Sequence, residues 1–151
     1  MSNWNSAEEA LDFAITNEQR AADFYTVLAR RATNVQMAKT FEGFAKEELG
    51  HKAKLQAVRD GKKILPAEKK ILDLKIGDYL VDVEATDDMT YQDSLILAMK
   101  REKAAFRLYT DLAAQVDDAE LKNLFLGLAQ EEAKHKLRFE VEYDDKVLIE
   151  N

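Results

Sequence analysis

Cysteine is absent from the 151-residue chain. That excludes a disulfide scaffold, a zinc ribbon, an iron–sulfur cluster and an iron site held by thiolates. Turn formers are scarce, at five Gly and one Pro, which excludes an all-β sandwich with its many tight turns. Long apolar runs are missing too. The longest, Leu95 to Met99, falls far short of the roughly 20 residues a membrane helix needs. The opening MSNWNSAEEA has no apolar segment of the secretory kind, so a cytoplasmic protein without a membrane partner is expected. Basic surface is also lacking. A net charge of −7 argues against nucleic acid as a partner, because phosphate binding needs positive potential. The lysine pairs in GKKILPAEKK (61–70) read as a solvated connector.

What remains is a charged, helix-compatible chain, 46% hydrophobic and 34% charged, and its start signals are legible. Ser6 with Glu9 reads as a capping box, followed by amphipathic sequence to about Arg31. Asn34 caps a second helix that ends before Gly61, whose φ freedom suits a C′ position. Thr90 with Asp93 opens a third helix reaching about Val116, and Asp117 with Glu120 opens a fourth ending near Tyr143. The expected fold is therefore all-α, in one domain spanning 1–151. Two helical hairpins, 6–60 and 90–143, are separated by a crossover at 61–89, and in the short tail at 144–151 the apolar KVLIE (146–150) is read as a segment that docks on a partner subunit. So long a connection can climb the bundle and start the third helix parallel to the second, which is the ferritin-like topology.

The seams of the four helices carry most of the information. At 3–4 spacing they present Leu11, Ile15, Glu18, Ala22 and Tyr25; Phe41, Phe44, Glu48, His51 and Leu55; Leu95, Met99, Glu102, Phe106 and Tyr109; and Leu121, Phe125, Glu132, His135 and Phe139. Each apolar stripe is broken near its middle by a glutamate, and two of them also carry a histidine. Shifting the chain by 84 residues superposes 11–56 on 95–140 without a gap, with about 15 of 46 positions identical. The two histidines, the only ones in the chain, are partners under this shift. Both close a Glu-x-x-His spacing, ELGH at 48–51 and EAKH at 132–135.

Residues three apart share a helix face, so each carboxylate–imidazole pair converges on one point. Two such pairs, with Glu18 and Glu102 from the other helices, make six metal ligands about a pseudo-twofold axis: Glu18, Glu48, His51, Glu102, Glu132 and His135. Four bare carboxylates in an apolar interior cost several kcal/mol each, on the order given for buried ions. Two divalent cations cancel their charge. Hard oxygen donors with one imidazole per metal suit two iron ions, with manganese or zinc as substitutes. Glu47 and Glu131, one step off the seam, are expected to face solvent. Tyr25 and Tyr109 lie two turns beyond Glu18 and Glu102. They read either as core aromatics with a satisfied hydroxyl or as hydrogen-bond partners of a ligand carboxylate. Ala21, Ala105, Gly43 and Gly127 are packing residues or leave space near the metals, and Trp4 is a staple or interface residue. No catalytic group beyond the metal ligands is identifiable.

The sequence resembles the rubrerythrin family of ferritin-like di-iron carboxylate proteins over about residues 6–143. AITNEQRAADFY, FAKEELGHK, AMKREKAAFRLY and LAQEEAKHK carry the resemblance. By that resemblance Glu18 and Glu102 each bind one iron terminally, Glu48 and Glu132 bridge or share the two, and His51 and His135 complete one iron each. It implies a di-iron oxidoreductase that reduces peroxide or dioxygen. Without cysteine the rubredoxin domain of full-length members is missing, so an external, rubredoxin-like electron donor is implied, and a homodimer is expected. Ala105 stands where the family places an additional glutamate. Only eight residues follow Tyr143, too few for the helix that closes a ferritin storage cage. The alternatives are an iron-handling ferroxidase and a helical interaction module with structural metal.

Overall fold

The computed structural model describes residues 3–150, with side chains through Lys146. Four long helices dominate it: α1 (Ala7–Arg31), α2 (Val35–Asp60), α4 (Tyr91–Gln115) and α5 (Ala119–Glu150), with a short α3 (Glu68–Leu72) in the crossover. No strand occurs among the described residues, as the scarcity of turn formers led one to expect. Side-chain caps set the starts. Ser6 Oγ accepts from the Glu9 amide at 3.1 Å, Asn34 Oδ1 from Met37 at 2.8 Å and Thr90 Oγ1 from Asp93 at 3.0 Å. At α5 the cap lies one residue later than expected: Asp118 Oδ1, rather than Asp117, accepts from the Glu120 amide.

Two ends differ from the sequence reading. The α5 helix does not stop near Tyr143 but continues to Glu150; Asp144, Asp145 and Lys146 contain no breaker, so nothing terminates it. The expected apolar tail is thus helical backbone, and the side chains of 147–150 lie outside the described residues. At the end of α2, Gly61 stays right-handed (φ −81°) and the left-handed residue is Lys62 (φ 54°). The reason is a Schellman closure. Lys63 donates to the Val58 carbonyl at 3.2 Å and Lys62 to Arg59 at 3.1 Å, which puts the C′ position on Lys62. A Cβ is disfavoured there, so Lys62→Gly is expected to raise unfolding stability by about 0.5–1 kcal/mol, net of glycine's extra chain entropy. A urea melt with unchanged midpoint would contradict this.

The hairpins pack with α1 against α4 and α2 against α5. Glu18 meets Tyr109 while Tyr25 meets Glu102, so α1 and α4 run antiparallel. Glu47 meets His135 while His51 meets Glu131, so α2 and α5 do too. It follows that α4 runs parallel to α2, which is why the connection between them must climb the bundle. That connection is not an inert linker. Ile64 and Ile71 are fully buried, and Trp4 stacks on Tyr79 with ring centroids 5.8 Å apart. Tyr79 also donates to Asp111 on α4 at 2.7 Å, and the Ala7 amide donates to Glu68. Trp4 is therefore a staple between the N-terminus and the crossover.

Two apolar clusters sit at opposite ends of the bundle. One is largely aliphatic and contains Leu11, Leu55, Leu112 and Phe125; the other holds Tyr25, Phe41 and Phe139. Phe106, placed on the third seam by spacing, is exposed, whereas Leu108 and Leu112 are buried. The buried arc of α4 turns toward α5 and the crossover, because this helix has neighbours on more than one side.

Candidate metal centre

The glutamates of the four seams meet between the two apolar clusters. Glu18, Glu48, His51, Glu102, Glu132 and His135 are each at most 2% exposed. One ligand atom from each of Glu18, Glu48, His51 and Glu132 lies within 4.8 Å of the others, and so do those of Glu48, Glu102, Glu132 and His135. Glu48 and Glu132 belong to both groups. His51 Nδ1 is 3.4 Å from Glu18, 3.3 Å from Glu48 and 2.9 Å from Glu132. His135 Nδ1 is 3.2 Å from Glu48 and 3.7 Å from Glu102. The Glu-x-x-His spacing thus aims one carboxylate and one imidazole of each helix inward, and the repeat duplicates the arrangement.

A buried polar atom without a hydrogen bond costs about 1–3 kcal/mol. Here six such atoms converge: Glu18 Oε2, Glu48 Oε1, His51 Nδ1, Glu102 Oε2, Glu132 Oε1 and His135 Nδ1, one from each residue. Four carboxylate oxygens and two imidazole nitrogens, partitioned into two overlapping groups, fit a pair of divalent cations of the iron or manganese kind.

The outward atoms are held by reciprocal contacts between the hairpins. The Tyr25 hydroxyl donates to Glu102, and the Tyr109 hydroxyl to Glu18. Each tyrosine serves the glutamate of the opposite hairpin, two turns from the one on its own helix. Removing either hydroxyl leaves a buried carboxylate oxygen unsatisfied. Tyr25→Phe and Tyr109→Phe are each expected to lower stability by about 1–3 kcal/mol, read from urea unfolding; a loss confined to one of them would contradict the symmetry.

Glu47 and Glu131 face solvent only in part. Each is about half exposed, yet the Glu47 carboxylate contacts His135 Nε2 at 2.5 Å and the Glu131 carboxylate contacts His51 Nε2. These contacts orient the rings so that Nδ1 points inward. A 100° offset from the seam was misleading because a glutamate side chain spans that arc toward the neighbouring helix. The available signal was the repeat itself, in which the Glu-Glu pair occurs in both halves. The two histidine environments are not identical: Phe44 stacks on His135 with centroids 4.1 Å apart, and its repeat partner is Leu128.

Crowding four carboxylates and two imidazoles in one buried centre shifts their titration. Burial, followed by the nearby Glu48, lifts Glu18 to about 8. Burial likewise raises Glu102 and, with the surrounding carboxylates, Glu132. Glu48 goes the other way: burial opposes its ionisation, but the neighbouring His135 and His51 imidazoles hold it below the usual carboxylate range. Against their own burial, the imidazoles are raised by their glutamates, His51 to about 10 and His135 to about 11.

A cavity of about 110 Å³ opens onto this cluster between α1 and α4 beneath the crossover. Its lining includes Glu18, Glu48, Glu102 and Glu132 but neither histidine. Of the small residues singled out, Ala21 and Ala105 border it. Gly43 and Gly127 do not, and a Cβ at either would meet nothing within 4 Å.

Comparison with known proteins agrees with the geometry. A protein of Thermotoga maritima, provisionally described as a ferritin-like diiron-carboxylate protein, superposes with a TM-score of 0.75 at 17% identity, over 97% of this chain and 99% of that one. A hypothetical protein of Pyrococcus furiosus superposes with a TM-score of 0.67 at 26% identity, over 91% and 87%. No curated protein matches significantly. The Rubrerythrin family model matches residues 9–143, a span that contains all six inward-facing glutamates and histidines, and the chain therefore belongs to the rubrerythrin family.

Proposed function

We propose that the protein is a di-iron oxidoreductase that reduces peroxide, or dioxygen, with electrons from an external one-electron donor protein. The observation that supports this reading best is the cavity. A metal pair with a purely structural role is closed off, whereas here the cavity lined by the four carboxylates also borders a surface cleft at Arg20, Glu84 and Arg101. The net reaction is H₂O₂ + 2e⁻ + 2H⁺ → 2H₂O, in which the O–O bond breaks and each oxygen leaves as water.

Glu18 with His51 and Glu102 with His135 would each hold one iron, and Glu48 and Glu132 would be shared between the two. When bound, the irons supply the two electrons that an O–O bond requires for cleavage. The chain's own groups do the rest. Tyr25 and Tyr109 hold the terminal carboxylates in place through their hydroxyls. Glu131 and Glu47 fix the imidazole rings from the outer side, and the apolar clusters above and below exclude bulk water.

The decisive measurement is steady turnover of peroxide by iron-loaded protein with a reducing partner. Sustained consumption at two electrons per peroxide supports the proposal. Iron uptake far above two per chain would instead favour an iron-handling protein, and the absence of any oxidation of the reduced site would favour a structural metal.

A further inference from the structure

The two halves of the centre offer the same donors but not the same surroundings. Glu18, Glu48, Glu132 and His51 form one group, and Glu102, Glu48, Glu132 and His135 the other, with three carboxylates and one imidazole in each. Each imidazole is also met on its outer nitrogen by a glutamate, His51 by Glu131 and His135 by Glu47. Donor chemistry therefore does not tell the two positions apart. The rings behind the donors do.

Phe44, on α2, lies against the face of His135, on α5, with centroids 4.1 Å apart and planes inclined by 27°. Tyr25 meets the same imidazole edge-on at 6.5 Å, and Phe139 packs on both Tyr25 and Phe44. His51 has no such wall. Among the described residues its one aromatic contact is the His135 ring, 6.3 Å away. The 84-residue repeat makes the difference explicit: the counterpart of Phe44 is Leu128 and that of Phe139 is Leu55. Aliphatic side chains stand in one half where the other half has rings.

That difference matters to a cation. An imidazole that ligates a dication through Nδ1 becomes electron-poor, and the face of a phenyl ring carries the negative charge that attracts it. The stack also fixes the plane of the His135 ring beforehand, so less rotational freedom is lost on binding. Leucine supplies neither effect. Arg20 and Arg101 border the cavity that all four carboxylates line, so their charge bears on both positions. Given a two-metal centre, on which this rests, and whatever reaction it performs, we infer that Phe44 is a positioning residue that makes the two metal positions unequal. The Glu102–His135 position takes a divalent cation first. It holds the ion roughly tenfold more tightly than the Glu18–His51 position, the scale of one aromatic stack on an electron-poor ring.

Because the chain has only two histidines, their imidazoles can be followed one by one. Metal-free protein carrying isotope-labelled histidine is titrated with zinc, a diamagnetic probe, and followed by NMR, with signals assigned from His51→Gln and His135→Gln. In the wild type the His135 signals should move over the first equivalent and those of His51 over the second. Phe44 is half-buried, and Phe44→Leu installs the residue the repeat already uses. It should erase the order, so that both imidazoles shift together. The exchange Phe44→Leu/Leu128→Phe should invert it. Leu128 is almost fully buried, so metal-free melting temperatures are compared first, and Phe44→Leu decides alone if the exchange does not fold. A ring that only filled space would change the melting temperature and leave the order of filling intact. Simultaneous filling in the wild type, His51 filling first, or an order that survives Phe44→Leu would overturn the role given to Phe44 and leave the metal centre standing. Zinc that moves neither imidazole would overturn the centre and this inference together.

Discussion

Protein isolated from iron-replete cells is expected to carry two metal ions per chain, and the double variant His51→Ala/His135→Ala none. The magnitude follows from what each imidazole does. His51 Nδ1 and His135 Nδ1 are buried, lack a hydrogen bond and face separate but overlapping sets of carboxylates. Deleting both removes one neutral donor per metal and leaves an oxygen-only site. It also strips Glu131 and Glu47 of the contacts that tie the α2 and α5 helices together. Each single variant should retain the metal of the other half with weakened affinity, because Glu48 and Glu132 are common to both groups. Elemental analysis decides it. Two metals in the double variant would show that the ions sit elsewhere.

A second large effect is the difference between metal-loaded and metal-free protein. Metal that binds the folded state alone stabilises it by about 4 kcal/mol per site at a thousandfold excess over Kd. For two sites this is comparable to the whole stability of an ordinary domain. The pH dependence should have opposite signs in the two forms. In the metal-free protein Glu18, raised from 4.5 to about 8, binds a proton more readily folded than unfolded, so stability rises as pH falls from above 8 toward 4.5. His51 and His135, raised from 6.5 to about 10 and 11, act in the same sense. Their contribution is fully present below pH 6.5 and is lost as pH rises through 10 and 11. Glu48, lowered from 4.5, reverses the trend only below about pH 4.5.

Metal must displace those protons, so its binding releases protons and weakens on acidification. Melting temperatures of the metal-free protein should therefore climb from pH 9 to pH 6 while metal affinity falls over the same range. A metal-free protein that loses stability on that path would contradict the charge balance described for the centre. Proton release measured in unbuffered solution gives an independent check.

The division between what could be read and what could not follows the range of the physics involved. Helical periodicity, caps and the 84-residue repeat are local or self-referential, so the four helices, the hairpin pairing and the six seam residues were legible from the residues alone. The helix ends were less so. Whether Gly61 or Lys62 takes the left-handed position depends on which carbonyls close the last turn, and α5 continues past Tyr143 because no residue there stops it. Tyr25 and Tyr109 were placed on the right faces, but spacing along a helix says nothing about reaching across to the other hairpin, which is where their hydroxyls bond. Glu47 and Glu131 show the same limit more sharply: helical angle placed them outside, and side-chain length together with the nearness of α2 and α5 brought them to the histidines. The cavity belongs wholly to the tertiary structure. It exists because an irregular crossover lies over the α1–α4 seam at two alanines, and no periodicity encodes where a connection between two helices comes to rest.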